Sequence, residues 1–501
     1  MNPEEIRAFE YFLHRAAPCL AAAQDGSFWL TLVPQVMRRD DAARNAVLAI
    51  SHLYEHPLET SNLFSAASVI TKAQSQALRW QSRSIKGFHT SLSRTHDKDQ
   101  TELALLSCML LTTIEFQQNN VHNAITLLTH GFDLACTALA RSGSGISATI
   151  KDILVPRLAR QSILMGVYGR LPPKHWFERF ENIAPASTSE ITSLTDARIG
   201  LYSCLLKAME FLHEAHRAYM HDIAPELSPS GPLKSWQAAL MTELRKWDEQ
   251  FFLFNQKHSG RLTQQERLAT TSMIMYSNIA YIWVSIECDQ DNMLEDRQMH
   301  RFQRIVDCAQ TLLDAAQEEA NDTPAPFASE MGVIPALFFT GMKCRHPLIR
   351  RKMVKMLKRA PRQEALFSAE MNWRALEALI GVEEGKELSK SVAEGTWQGE
   401  LPSQETRCNH VAILYELDGG KRVLPQLTYV RGYTRGYDGK PRMERDVVTL
   451  YPCAETASDQ AILSELVDQM PPEEHGENSA GLLSRSDLLK WMHQNIDQDR
   501  S

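Results

Sequence analysis

No two of the nine cysteines stand close enough to form a C-x-x-C pair. They are Cys19, Cys108, Cys136, Cys204, Cys288, Cys308, Cys344, Cys408 and Cys453. That spacing excludes a readable zinc site or thioredoxin-like motif. Most lie in apolar helical context and read as buried small hydrophobes, and an odd count suits a reducing compartment. Long apolar runs are also missing: none reaches the roughly 18 residues of a bilayer-spanning helix. The opening MNPEEIRAFEYFLHR has acids where a signal peptide has a basic region and an apolar core, so an intracellular protein is expected. Basic charge is scarce too. A formal net charge of -8 argues against a chain whose whole surface grips nucleic acid.

Catalytic signatures are equally thin. There is no G-x-x-x-x-G-K-[ST] phosphate loop and no G-x-G-x-x-G after a strand. Gly143-Ser144-Gly145 is not a nucleophile elbow and follows no strand. His213-Glu214-Ala215-His216 spaces its imidazoles at i, i+3, whereas a zincin needs H-E-x-x-H, and His221 falls on another face. The acidic pairs Glu383-Glu384 and Glu473-Glu474 read as solvated loop surface. No catalytic, cofactor-binding or metal-ligating residue is named, and a non-enzyme without cofactor is expected.

What is present is helix. Hydrophobic residues at 44% and charged residues at 23% are ordinary globular values. At 501 residues, a main domain with an appendage is the natural expectation. The chain is organised around residues 103–139. Leu103 to Phe116 is apolar almost all round, which predicts a helix buried on every side. Gln117, Gln118, Asn119 and Asn120 make a polar break of the length that joins antiparallel helices. Val121, Ile125, Leu128, Phe132, Ala135 and Leu139 then form one stripe on a second helix. Before this hairpin, Ile6, Phe9, Phe12 and Leu13 suggest one helical face. Asp40 or Asp41 is placed to cap a helix over 42–54, and Ala77, Trp80, Ile85 and Phe88 mark a helix over 73–92. After it come a buried helix over 153–166 with Pro156 in its first turn, and a loop over 171–190 anchored by Trp176, Phe177 and Phe180. Helices follow over 197–219, 236–254, 263–286 and 302–316, with Ser193 or Thr195 as candidate caps of the first and Thr263 of the third.

Residues 331–367 read as another hairpin. Pro335 starts an apolar helix, Cys344-Arg345-His346-Pro347 breaks it, and Ile349, Met353, Leu357 and Ala360 line a second helix before Pro361. That second helix carries Arg350, Arg351, Lys352, Lys355, Lys358, Arg359 and Arg362. The cluster is a candidate nuclear-import signal or phosphate-facing patch, or else simply the basic solvent face of an amphipathic helix. Aromatic positions such as Trp236, Trp247, Phe251, Phe338 and Phe339 are either core or the lining of a ligand pocket between helices. Beyond Gly395 the pattern turns β-prone, with strands over 410–417 and 423–430, a hairpin turn at Asp418-Gly419-Gly420, and a third strand over 446–451. The expected architecture is all-α, a multi-helix array of antiparallel hairpins over 1–394. A small antiparallel β meander over 395–453 and a polar linker with a C-terminal helix over 454–501 complete it.

MGVIPALFFTGMKCRHPLIRRKMVKMLKRAPRQEALF resembles, nearly position for position, a block of the fungal-specific transcription factor domain. The E-F-x-Q-x-N-like turn after the apolar helix and the opening A-x-R-N-A-V-L-A-I-S-H-L-Y-E resemble the same family, over roughly residues 5–385. The resemblance implies the helical regulatory region of a six-cysteine zinc-cluster regulator. Such regions sense small molecules, dimerise or contact co-regulators, often governing metabolic or secondary-metabolite genes. The chain departs from the family in one respect: only Cys19 lies in its first hundred residues, so the zinc cluster that reads DNA is not in it. Two routes fit, a regulator acting without its own head or a gene model lacking an upstream exon. The expected partner is a zinc-cluster factor or co-regulator in the nucleus. A homodimer and a small-molecule effector are open, DNA is reached only indirectly, and no membrane is involved. The alternatives are a non-nuclear helical interaction scaffold and, last, a biosynthetic enzyme.

Overall fold

The computed structural model describes residues 2–21, 26–57, 72–94, 98–140, 147–167, 172–181, 190–221, 231–286, 293–320, 325–414, 417–418, 421–422, 426–435 and 441–450. Gly143-Ser144-Gly145, the turn residues Gly419 and Gly420, the Glu473-Glu474 pair and the segment 454–501 lie outside them.

The helices are α1 (Pro3–Tyr11), α2 (Ala17–Ala21), α3 (Val33–Met37), α4 (Asp41–Glu55), α5 (Lys72–Arg94), α6 (Lys98–Gln117), α7 (Val121–Ala140) and α8 (Val155–Val167). They continue as α9 (Lys174–Glu181), α10 (Leu194–His221), α11 (Gly231–His258), α12 (Gln264–Ile286), α13 (Met299–Ala320), α14 (Ile334–Lys343), α15 (Pro347–Arg359) and α16 (Ala369–Ala393). The fold is all-α with a small β appendage, as the periodicity predicts. Sequence-local caps set several starts. Asp40 accepts from the Ala43 N–H at 2.7 Å, Ser193 accepts from that of Asp196, and Thr263 and Glu266 exchange bonds across a capping box.

Helices adjacent in the chain pack together. α4 lies against α5 and α6, α7 against α8 and α9, and α8 against α10. α10 carries α11 and α12, α12 carries α13, and α14, α15 and α16 close on one another. One apolar core runs from Ala8 to Ile380. The central hairpin sits in it as expected: Leu105, Met109, Leu110 and Ile114 of α6 are wholly buried, and Leu128, Phe132 and Ala135 face inward from α7. Its turn places Asn119 at a φ of 54°, a left-handed conformation that asparagine tolerates. Gln118 and Glu115 bond Gln81 of α5, so the polar break also ties the hairpin to its neighbour.

Three π-helical turns, Phe12–Ala16, Ser27–Leu32 and Ile150–Leu154, lead into α2, α3 and α8. In each, the residue just before a proline donates its N–H five residues back: Ala17 to Phe12, Val33 to Phe28, Val155 to Ile150. Pro18, Pro34 and Pro156 come next. A proline inside a helix has no N–H and its ring clashes with the carbonyl four residues back, so the wider turn lets the helix continue through it. Pro156 therefore lies inside a longer helical run rather than at its start. Three further expectations are corrected. Ile6 and Ile85 are exposed, since Ala8 and the face of Ala77, Trp80 and Phe88 are what pack. Residues 174–181 are helix α9 rather than loop, with Trp176 stacked on Phe132.

The β elements are small. β1 (Gln363–Glu364) and β2 (Phe367–Ser368) form a two-residue-strand hairpin that the sequence pattern did not reveal. β3 (Asn409–Leu414), β4 (Leu417–Asp418), β5 (Lys421–Arg422), β6 (Gln426–Arg435) and β7 (Pro441–Thr449) follow. β3, β6 and β7 pair antiparallel in the order β3-β6-β7. Leu427, Tyr429 and Leu450 pack with Phe338 of α14 and Ala375 and Leu379 of α16, so the meander is seated on the last helical hairpin.

Candidate functional site

The block 331–367 that carries the resemblance folds as expected into α14, a turn and α15. Its basic residues do not form one free patch. Arg350 is wholly buried, which corrects its assignment to a surface cluster. It faces inward because Met353, Val354 and Leu357 turn the same side of α15 to the core, and it pairs with Glu383 of α16 at 2.5 Å. Arg351 meets Glu384 in a bidentate pair at 3.0 and 2.7 Å. Lys358 reaches Glu377 at 2.7 Å, Arg359 reaches Asp314 at 2.8 Å, and Lys352 lies 4.0 Å from Asp307. Lys355 and Arg362 are exposed. Most of the positive charge is thus matched on the spot by α13 and α16, which leaves little field for a phosphate.

Glu383 and Glu384 are buried on α16, not solvated, and this too corrects the expectation from sequence. Their counter-charges are more than thirty residues upstream. Glu383 accepts from Arg345 at 3.1 Å, from Arg350, and from the Cys408 N–H at 2.7 Å. Arg345 also pairs with Glu295 and donates to the Cys408 carbonyl at 3.0 Å, while Lys343 reaches Glu295 at 3.0 Å. Arg407 joins Asp296 at 2.7 Å. These ions lock the turn before α15, the turn before α13, α16 and the entry to β3 into one unit. A second buried centre holds Arg157 and Arg160 of α8 on Glu330, with Ser329 bonded to both Arg157 and Trp29. Burial pulls Arg157 down to about 10, against the pull of Glu330, so it stays charged at neutral pH. Burial also works against Arg160, yet Glu330 and Tyr202 outweigh it and raise its pKa.

The aromatic stripes are packed pairs. Trp247 stacks on Phe251 at 4.6 Å, Trp236 meets Phe211 edge-on, and Phe339 meets Trp283. A shallow surface depression of about 460 Å³ lies instead where α4 begins, lined by Arg39, Asp40, Asp41, Lys86, Gly87 and Thr90. The described cysteines are free thiols, and five of the seven are buried. Burial pushes Cys136, Cys308 and Cys344 up to about 11 and Cys204 up to about 12, so they are packing groups rather than nucleophiles. His213 is exposed on α10, and the side chains of His216 and His221 are not among those described.

One constellation is absent from the expectations drawn from sequence. His52, Glu55 and His56 close the last turn of α4, and their potential ligand atoms all lie within 4.8 Å of one another. It is the only such grouping among the described residues. The signal was available as His52-x-x-Glu55-His56, the H-x-x-E-H pattern whose two histidines hold the metal in some zinc hydrolases. No third histidine or further acid joins it among the described residues, so the hydrolase reading does not carry over. Compared with known protein families, curated proteins and solved structures, the chain matches none of them.

Proposed function

We propose that this chain is the regulatory region of a fungal transcriptional regulator that lacks a zinc-cluster head within its own sequence. It acts in the nucleus by pairing with a zinc-cluster partner or co-regulator, and through it on a metabolic or secondary-metabolite gene set. The observation that carries the reading is the block 331–367. Its Lys343, Arg345, Pro347, Arg350 and Arg351 match the resembled pattern, and each has a definite place in the fold. Pro347 starts α15, Pro335 lies in the first turn of α14, and the charged groups fasten this helix pair to α16, the turn before α13 and the entry to β3. These places are structural, so the choice of regulator rests on the family analogy. The all-α array of hairpins supports the reading, because it offers long exposed helix faces to protein partners.

Affinity capture of the tagged chain from its native cells, with mass spectrometry of what it retains, is the test. A zinc-cluster factor among the retained proteins is the expected result. Metabolic or cytoskeletal proteins alone, with nothing nuclear, would overturn the reading in favour of a non-nuclear scaffold.

A further inference from the structure

We propose that His52, Glu55 and His56 form a binding site for a divalent transition metal, zinc in the first instance, at the C-terminal end of α4. The argument begins with helix geometry. Residues at i, i+3 and i+4 share one face, so the last turn of α4 presents two imidazoles and a carboxylate together. The two rings stand 4.8 Å apart between centroids, and His56 Nε2 is 3.7 Å from Glu55 Oε2. A tetrahedral zinc with arms of about 2.0–2.1 Å needs donors separated by about 3.3 Å. The donors stand within 4.8 Å of one another, so binding draws these side chains together by about an ångström.

The second observation is independent of spacing. His52 is 6% exposed, and neither of its ring nitrogens has a hydrogen-bond partner. A neutral imidazole carries one donor and one acceptor, and buried polar groups are nearly always satisfied. The ring stands perpendicular to that of Trp80 from α5 at 5.4 Å between centroids, and one of its nitrogens lies within 4.8 Å of the Glu55 carboxylate and a His56 nitrogen. Glu55 is oriented from outside. Arg7 of α1 grips its carboxylate through two bonds of 2.6 and 2.9 Å, which occupy two of its four lone-pair positions and leave the others open. An outer partner of this kind is what fixes a carboxylate ligand. Two nitrogens and one carboxylate oxygen suit zinc, cobalt, nickel or copper rather than calcium or magnesium. With three protein ligands and His56 facing solvent, a fourth position is open to water or to a donor from a partner.

The test uses the full chain, stripped with a chelator and titrated with Zn²⁺ and separately with Co²⁺. Wild-type protein takes up one equivalent of zinc through this site. That equivalent is lost in His56→Ala, and its affinity falls at least about tenfold in Glu55→Gln. Both positions are at the surface edge of α4, so circular dichroism of each variant matches wild type. The cobalt form shows the visible bands of nitrogen and oxygen ligation without a thiolate charge-transfer band, which separates this site from the cysteines. Equal zinc uptake by wild type and His56→Ala, a thiolate band that His56→Ala leaves unchanged, or no uptake by wild type overturns the proposal.

Discussion

Removing the carboxylate of Glu383 tests whether the buried ion cluster holds the last helical hairpin. In Glu383→Ala, Arg350 loses a partner at 2.5 Å, Arg345 one at 3.1 Å, and the Cys408 N–H its acceptor at 2.7 Å. Arg345 keeps Glu295, but Arg350 keeps only the Gly341 carbonyl, at 3.0 Å. Both members of the Arg350–Glu383 pair are fully shielded from solvent, so no water replaces what is removed. Deleting one partner of a buried pair costs about 3–5 kcal/mol. That is a large share of the roughly 5–15 kcal/mol that holds a domain folded. With a urea slope of about 3 kcal/mol/M, the unfolding midpoint drops by about 1–1.7 M. The control is Glu377→Ala. Its pair with Lys358 has the same 2.7 Å geometry as good buried pairs, but both side chains are 46% exposed. Water and salt screen that pair, and the loss stays under about 1 kcal/mol. A double replacement, Arg350→Met with Glu383→Met, removes both charges and recovers much of the stability lost by Glu383→Ala. Equal midpoints for Glu383→Ala and Glu377→Ala would refute the reasoning.

Three other outcomes are expected. Gly87→Ala puts a Cβ 2.7 Å from Ala42 Cβ and 3.2 Å from its Cα, where α5 crosses α4 and neither atom can swing aside. Alanine's helix advantage of about 1 kcal/mol is opposed by overpacking of about 1–3 kcal/mol, so the melting temperature falls, and a rise would sink the close-approach reading. Asp40→Ala removes the cap on the Ala43 N–H and lowers stability by about 1 kcal/mol in urea unfolding, whereas Asp40→Ser retains most of it. Glu364 is buried at the start of α14, and burial pushes its carboxyl up to about 7 against its bonds from the Val333 and Ile334 N–H groups. Unfolded, that carboxyl titrates near about 4.3, so between about pH 4.5 and 7 the folded chain holds a proton the unfolded chain lacks. Its contribution to stability is therefore greatest at the acid end of that window and lost as pH rises toward 7. Glu364→Gln removes this slope relative to wild type, and an unchanged slope would assign it to other groups.

Much of the helical plan was legible because its signals are local. The apolar surround of Leu103–Phe116, the stripe from Leu128 to Leu139, and the caps Asp40, Ser193 and Thr263 each depend on residues within a turn or two. The ion cluster was not legible, because burial of Glu383 depends on Arg345 and Arg350, which only the folded chain brings near. Viewed as a string, an acidic pair and a basic run each look like solvated surface. Ile6 and Ile85 misled in the opposite sense, being apolar at helical spacing yet outside the packed face. The His52-Glu55-His56 spacing was written in the sequence. What the string could not show is that His52 lies buried without a hydrogen-bond partner, and that fact gives the spacing its weight.

The π turns ahead of Pro18, Pro34 and Pro156 change how much core a length of helix can fill. Apolar residues spaced by four, as in Phe12, Ala16 and Leu20 or Ile150, Leu154 and Leu158, drift by about 40° per step on an α-helix. A turn of roughly 4.4 residues drifts the other way, and the two cancel. Adjacent side chains can then both point inward, and they do: Ala16 with Ala17, Phe28 with Trp29, Leu154 with Val155. Each proline thus marks a place where the helix phase is reset and a doublet replaces a single inward residue. Shortening one of these turns by a residue would withdraw one member of the doublet from the core and rotate everything after it out of step with its neighbours.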